Sequence, residues 1–203
     1  MEYLISILCG YFLGSVPFGL VIAYLAGFGD IRKQGSGNIG TTNVLRITKR
    51  KDLTILTLVL DAGKAGFAAL LTSWLFANPM AGLLAGLAGV IGHNYPIWLN
   101  FKGGKGVAST LGMMLATSPV VGLMACLTWV FMAVVFRYSS LSALTALTLS
   151  PFYAYAMIGT DKECYVLAYA FLALLSMMRH RANIERLLSG QETKINFKKK
   201  KNA

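Results

Sequence analysis

The chain has 203 residues, of which 56% are apolar types and only 13% are charged, with a mean hydropathy of +0.60. A soluble domain carries roughly 25% charged residues, so a water-facing globule is excluded, as are disorder, a collagen-like chain and a disulfide-stapled secreted fold. The charges that remain are mostly positive, 19 Lys and Arg against 8 Asp and Glu, which predicts a membrane protein with basic loops. Length and composition suit a single transmembrane domain spanning residues 1–203.

A spanning helix needs about 20 apolar residues. The uncharged run Tyr3–Phe28 predicts the first; Met1 and Glu2 lack the basic start of a signal peptide, so a permanent helix is expected. Cys9 lies within it; with Cys126 and Cys164 it makes an odd set that fits neither disulfides nor zinc, and all three are expected as inert core residues. Leu53–Ala77 predicts a second helix, interrupted by Asp61 and Lys64, which stand three apart and either pair or face a polar cavity. Met80–Leu99 is the third, after the turn-like Asn78-Pro79. Gly10 with Gly14 and Gly82 with Gly86 predict close helix approach. The stretch Gly106–Phe136 holds 31 residues without a charge. One helix of that length would reach about 46 Å, too long for an apolar layer of roughly 30 Å. Ser118-Pro119 divides it into Val107–Thr117 and Pro119–Phe136. Leu141–Ile158 and Cys164–Met178 are the last two.

Basic loops lie inside. The loop 30–52 carries Arg32, Lys33, Arg46, Lys49, Arg50 and Lys51; 100–107 carries Lys102 and Lys105; the tail 179–203 carries Arg179, Arg181, Arg186, Lys194 and Lys198–Lys201. With Arg137 also inside, only Lys162 falls outside and Lys64 within the membrane. The expected architecture is therefore an all-α integral membrane protein of seven transmembrane helices, one of them short, with a periplasmic N-terminus and a cytoplasmic C-terminus. The alternative has five true crossings and one segment that dips into the bilayer.

Three cytoplasmic segments carry chemistry. In the first, Ser36-Gly37-Asn38-Ile39-Gly40-Thr41-Thr42-Asn43-Val44-Leu45-Arg46 spaces glycines among hydroxyls and amides. Such a loop turns backbone N–H groups toward an anion. A helix beginning near Thr41 would add its dipole, and Arg46 a bidentate grip; an ordinary flexible loop is the plainer reading. In the second, Lys102-Gly103-Gly104-Lys105-Gly106 resembles a phosphate cradle without Walker A spacing; simple topological charge is its alternative. In the third, Arg179, Asn183 and Arg186 would share one face if the last helix continues. His180 could act there as acid, base or donor. His93 is expected as a satisfied interfacial histidine, with a base as the alternative. Ser140 and Ser142, in the run Tyr138–Ser142, either cap a helix or extend the anion site. Phe197–Lys201 would lie against anionic lipid.

No metal constellation and no Ser-His-Asp arrangement is evident, and no cofactor is expected. The wealth of anion donors and shortage of acids predict catalysis by orientation and charge stabilisation. A transporter for a phosphorylated solute, with Asp61 and Lys64 lining the path, is the second reading. A membrane anchor for a partner enzyme is the third.

SGNIGTTNVLR at Ser36–Arg46, KGGKGVA at Lys102–Ala108, and His180-x-x-Asn183-Ile184-x-Arg186-Leu187 ending in Gln191-Glu192 resemble the three signature motifs of bacterial acyl-phosphate-dependent glycerol-3-phosphate acyltransferases. The likeness covers essentially the whole chain; Thr41 departs from it, where many members carry alanine. The resemblance implies transfer of a fatty acyl group from acyl phosphate to the 1-hydroxyl of glycerol 3-phosphate. The products are 1-acyl-glycerol 3-phosphate and inorganic phosphate, the first acylation of phospholipid synthesis, at the inner membrane with the site toward the cytoplasm. It implies catalytic roles for Ser36, Arg46, Lys105, His180 and Asn183. Gly37, Asn38, Gly40, Thr41, Asn43, Lys102, Gly103, Gly104, Gly106, Ser140 and Ser142 would bind substrate or phosphate. Acyl phosphate, glycerol 3-phosphate and membrane lipid are the expected partners, with no nucleic acid and with a monomer as the working expectation. The family mechanism further implies that the acyl phosphate's own phosphate takes the hydroxyl proton; His180 as base is the competing hypothesis.

Overall fold

The computed structural model describes residues 1–159 and 162–195. They are helical, with no strand among them: α1 (Glu2–Ser15), α2 (Phe18–Leu25), α3 (Thr41–Thr48), α4 (Lys51–Leu75), α5 (Pro79–Asn94), α6 (Val107–Thr117), α7 (Pro119–Phe136), α8 (Ser139–Met157), α9 (Lys162–Arg179) and α10 (Arg181–Leu188). Among the described residues three helical segments are long and apolar enough to cross a membrane: Glu2–Leu25, Lys51–Leu75 and Pro119–Phe136, of mean hydropathy 2.0, 1.6 and 2.2.

The first predicted helix is not continuous. Pro17 removes a donor and restricts Val16, so the chain breaks between α1 and α2. The Lys64 ammonium donates to the Val16 carbonyl at 2.8 Å, satisfying a group that the break exposes. Lys64 also pairs with Asp61 at 2.9 Å. The third helix ends at Asn94, short of Leu99, and a single 3-10 turn follows at Ile97–Leu99. The division at Pro119 stands as expected, with α6 and α7 packed against each other.

Small residues set the closest approach. A Cβ on Gly10 would strike the Ala85 backbone and one on Gly14 the Gly89 backbone, so α1 lies directly on α5. Gly82 meets Ser73 and Ala69, and Gly86 meets Met113, in the same way. Tyr169, Leu147, Met113, Met114 and Val121 pack together in the core of the bundle. Its outer side is the reverse of a soluble protein's: Phe67, Trp74, Leu123, Phe131, Phe152, Leu167 and Leu174 are all exposed. An apolar belt of that extent needs hydrocarbon beside it. The cysteines belong to the periphery rather than the core: Cys9 and Cys126 are partly exposed and Cys164 is exposed.

Candidate active site

The first motif is organised by one buried amide. Asn43 sits in the first turn of α3, which starts at Thr41. Its Nδ2 donates to the carbonyls of Asn38 at 2.7 Å, Ile31 at 3.0 Å and Gln34 at 3.3 Å, while its Oδ1 accepts from the Ser36 N–H at 2.9 Å. The Gly37 N–H bonds Gln34 and the Gly40 N–H bonds the Asn38 side chain. The amides of Ser36, Gly37 and Gly40 therefore point inward, not toward an anion. Asn43 shapes the loop, having no group left for a phosphate. What the motif presents outward is the exposed Ser36 hydroxyl, the N–H groups at the start of α3, and Arg46, which donates no hydrogen bond to any described residue. Thr41 Oγ1 is buried without a partner. Thr41→Ala is expected to leave turnover within about twofold of wild type and to cost no stability, because an unpaired buried hydroxyl contributes nothing favourable; thermal unfolding and turnover of the variant check it.

The second motif is pinned from both sides. The N–H groups of Gly103 and Gly104 donate to the carbonyls of Asn94 and His93, at the end of α5. Their own carbonyls accept from Arg179, Nη2 to Gly103 at 2.8 Å and Nε to Gly104 at 3.0 Å, and the guanidinium lies over the Tyr95 ring. The double glycine thus has no free peptide group for a cradle, contrary to the sequence expectation. The part left open to an anion would be narrower: Gly106 in the left-handed region (φ 76°), Lys105, and the N-terminal amides of α6. A Cβ on Gly106 would press on Asn94 Oδ1. Lys102 is exposed. Arg179→Lys keeps the charge but loses the two-pronged grip. It is expected to lower stability by about 2 kcal/mol, read as a fall in melting temperature in detergent.

The third motif is not one helix. The chain breaks at His180, so Arg179 ends α9 while Asn183 and Arg186 ride on α10. The common face expected for all three exists only for Asn183 and Arg186. Asn183 Oδ1 meets the Lys105 ammonium. Its Nδ2 donates to Glu192 Oε1 at 2.7 Å, Ser140 Oγ donates to the same oxygen at 2.7 Å, and Arg186 Nε donates to Glu192 Oε2 at 2.7 Å. Glu192 ties α8, α10 and, through Asn183, the second loop. These three donors hold its carboxyl below the ordinary glutamate range against the opposing effect of burial. Sequence reasoning placed Glu192 at the end of the third motif without assigning it a role; the only signal was a carboxylate set among basic neighbours. Ser142 is turned away, its hydroxyl bonded to the Tyr138 carbonyl at 2.7 Å. The tail continues past Glu192 to Ile195, whose N–H and carbonyl both bond Arg137. The expected lipid-facing Lys198–Lys201 lie outside the described residues.

His180 is buried, with Nδ1 at 2.9 Å from the Ser176 carbonyl. Burial first, then the Lys105 charge, pushes it down to about 4. Burial also pushes Lys105 down to about 8; Glu192 opposes this, while Arg186, Arg179 and Arg46 add to it. Arg46 thereby links the first motif to the other two. The assembled group is cationic, with one neutral imidazole and one carboxylate already engaged by Ser140, Asn183 and Arg186. It suits phosphate groups.

The profile of the family described as glycerol-3-phosphate acyltransferase matches residues 4–190. A glycerol-3-phosphate acyltransferase of Rhodospirillum rubrum is 58% identical over 200 residues, 95% of this chain and 91% of that protein. That of Paramagnetospirillum magneticum is 52% identical, covering 98% and 97%. The crystal structure of PlsY, an integral membrane glycerol 3-phosphate acyltransferase, in its glycerol 3-phosphate form superposes with a TM-score of 0.88 at 37% identity, covering 97% of this chain and 96% of that one. The lysophosphatidic acid form superposes at 0.86 with 36% identity and the same coverage.

Proposed function

We infer that this chain, which belongs to the glycerol-3-phosphate acyltransferase family, moves a fatty acyl group from acyl phosphate to the 1-hydroxyl of sn-glycerol 3-phosphate. The observation that carries this reading is the joining of Lys105, Asn183, Glu192, Ser140 and Arg186 at the start of α6. The second and third motifs, distant in sequence, meet there with Ser140 of α8 at one anion-attracting point, and the Arg46 charge of the first motif acts on Lys105. The glycerol 3-phosphate form of the related PlsY adds support for that substrate.

In this reading the acyl chain lies among the helices and its carbonyl phosphate sits at the α6 N-terminus. Lys105, Ser36 and Arg46 stabilise the two phosphates. Asn183 and His180 hold the glycerol 3-phosphate. The 1-hydroxyl oxygen bonds to the acyl carbon, the carbon–oxygen bond to phosphate breaks, and the hydroxyl proton leaves on the departing phosphate. Asn43, Gly37 and Gly40 shape the first loop; Gly103 and Gly104 set the second.

The chain acts as one transmembrane domain in the inner membrane, with its site toward the cytoplasm. We count α1 with α2, then α4, α5, α6, α7, α8 and α9 as seven crossings, N-terminus out and C-terminus in. At 11 residues α6 reaches only about 16 Å, so it is the short one, and its N-terminus opens into the site partway through the layer. A monomer suffices, since every proposed group comes from one chain.

The test is phosphate release by purified protein given palmitoyl phosphate, with and without glycerol 3-phosphate. Release that needs glycerol 3-phosphate and yields lysophosphatidate is expected. No release from folded, monodisperse protein would turn attention to transport of a phosphorylated solute.

A further inference from the structure

Beneath the glycine loop lies a cluster of buried polar groups that the proposed acyl transfer does not use. Asp61 and Lys64 stand on α4 and are each less than a tenth exposed. Besides pairing with Asp61, Lys64 reaches the Val16 carbonyl at the break between α1 and α2. His93, in the last turn of α5, is also buried and brings Nδ1 to 3.6 Å from Asp61 Oδ1. The far edge of its ring lies directly under the loop: a Cβ added to Gly104 would land on His93 Nε2. The backbones are joined at the same place, the Gly104 N–H donating to the His93 carbonyl at 3.0 Å. From the other side, Ser109 in the first turn of α6 donates to the Asp61 carbonyl at 2.7 Å. One cluster therefore touches the α1–α2 break, α4, α5 and α6, and it ends one residue before Lys105.

Charges at membrane depth are costly, and a buried ion pair is a poor source of stability compared with apolar residues of the same size. Lys64 satisfies the Val16 carbonyl, but fold stability alone gives no reason for the Asp61 and His93 side chains beside it. We propose that Lys64, Asp61 and His93 are positioning residues. They seat the imidazole in the space that a side chain at position 104 would fill, and so fix where Lys105 and the α6 N-terminus stand. Position 104 is glycine to admit the histidine ring from below, not to admit a phosphate from above. The catalytic consequence rests on the acyltransferase reading; the packing does not.

The experiment is a double-mutant cycle on the full-length protein in detergent, using Gly104→Ala, His93→Ala and the double variant. Turnover of palmitoyl phosphate with glycerol 3-phosphate and the melting temperature are both read. Gly104→Ala is expected to lower kcat/KM about thirtyfold, mostly through KM, since displacements under an ångström already cost much of a hundredfold. The double variant is expected to recover to within about threefold of His93→Ala, and its melting temperature to recover likewise. A double variant no better than Gly104→Ala in either measure would overturn the proposal, because removing a ring below the loop cannot relieve a clash above it. Asp61→Asn is expected to raise KM more than it lowers kcat in wild type, and to lose that effect once His93 is Ala. An equal effect in both backgrounds would show that Asp61 does not act through the ring. An inactive wild type would sink the acyltransferase reading instead, while the melting temperatures would still decide the packing.

Discussion

Lys105→Ala is expected to lower kcat/KM about 1,000-fold, the largest effect of any single substitution in the chain. A unit charge about 4 Å from a phosphate oxygen in a partly desolvated site is worth about 4 kcal/mol, and that converts to roughly the stated factor. The substitution also strips Asn183 Oδ1 of its donor. The pH dependence gives a sharper readout. Burial pushes Lys105 down to about 8, so the free enzyme loses this cation as pH rises through 8 rather than near 10.5. In the proposed reading the charged form is the one that binds phosphate, so kcat/KM should fall on the alkaline side with an inflection near 8. A bound phosphate favours the ammonium, so the limb in kcat should lie higher. Lys105→Arg stays charged throughout and should move the alkaline limb up while retaining part of the activity. A wild-type profile flat to pH 9.5 would mean that Lys105 is not the titrating phosphate ligand.

The helical framework was largely legible because its signals are local. Charge-free runs, Pro119 and the placement of Lys and Arg mark the segments without reference to the fold. Pro17 carried the same kind of signal as Pro119, yet the run around it is apolar on both sides and short enough to read as one span. The motifs were legible as places but not as contacts. Gly103 and Gly104 look like an anion cradle in sequence, since glycine admits a phosphate and a neighbouring backbone equally well. Only the position of the α5 end and of Arg179 shows which one it admits here. Asn43 is a similar case: a side chain with a donor pair and an acceptor suits a ligand or a loop, and here the loop takes all of it. Glu192 was obscured by its charge. A carboxylate is an unexpected member of an anion site until it is seen bridging Ser140, Asn183 and Arg186.

His180→Ala is expected to lower kcat about 100-fold while leaving the limbs of the pH profile where they are. The Ser176 carbonyl can only accept, so Nδ1 carries the ring hydrogen and Nε2 is left as an acceptor. With the ring pushed down to about 4, it is already neutral across the working range, and a base that weak gains little by taking a proton from an alcohol. Free phosphate monoesters have a second ionisation near 6, so the departing phosphate is the stronger final acceptor, and it is released where the proton is lost. In the proposed reaction the ring's remaining task is to accept a hydrogen bond from the 1-hydroxyl and aim its oxygen at the acyl carbon, and orientation of that kind accounts for about 100-fold. The decisive comparison is kcat against pH for wild type and His180→Gln. Parallel curves displaced vertically fit an orienting imidazole, with glutamine restoring part of the loss through its carbonyl oxygen. A limb present in wild type and missing in the variant would make the imidazole the base, and the proton would then pass through Nε2 before reaching phosphate.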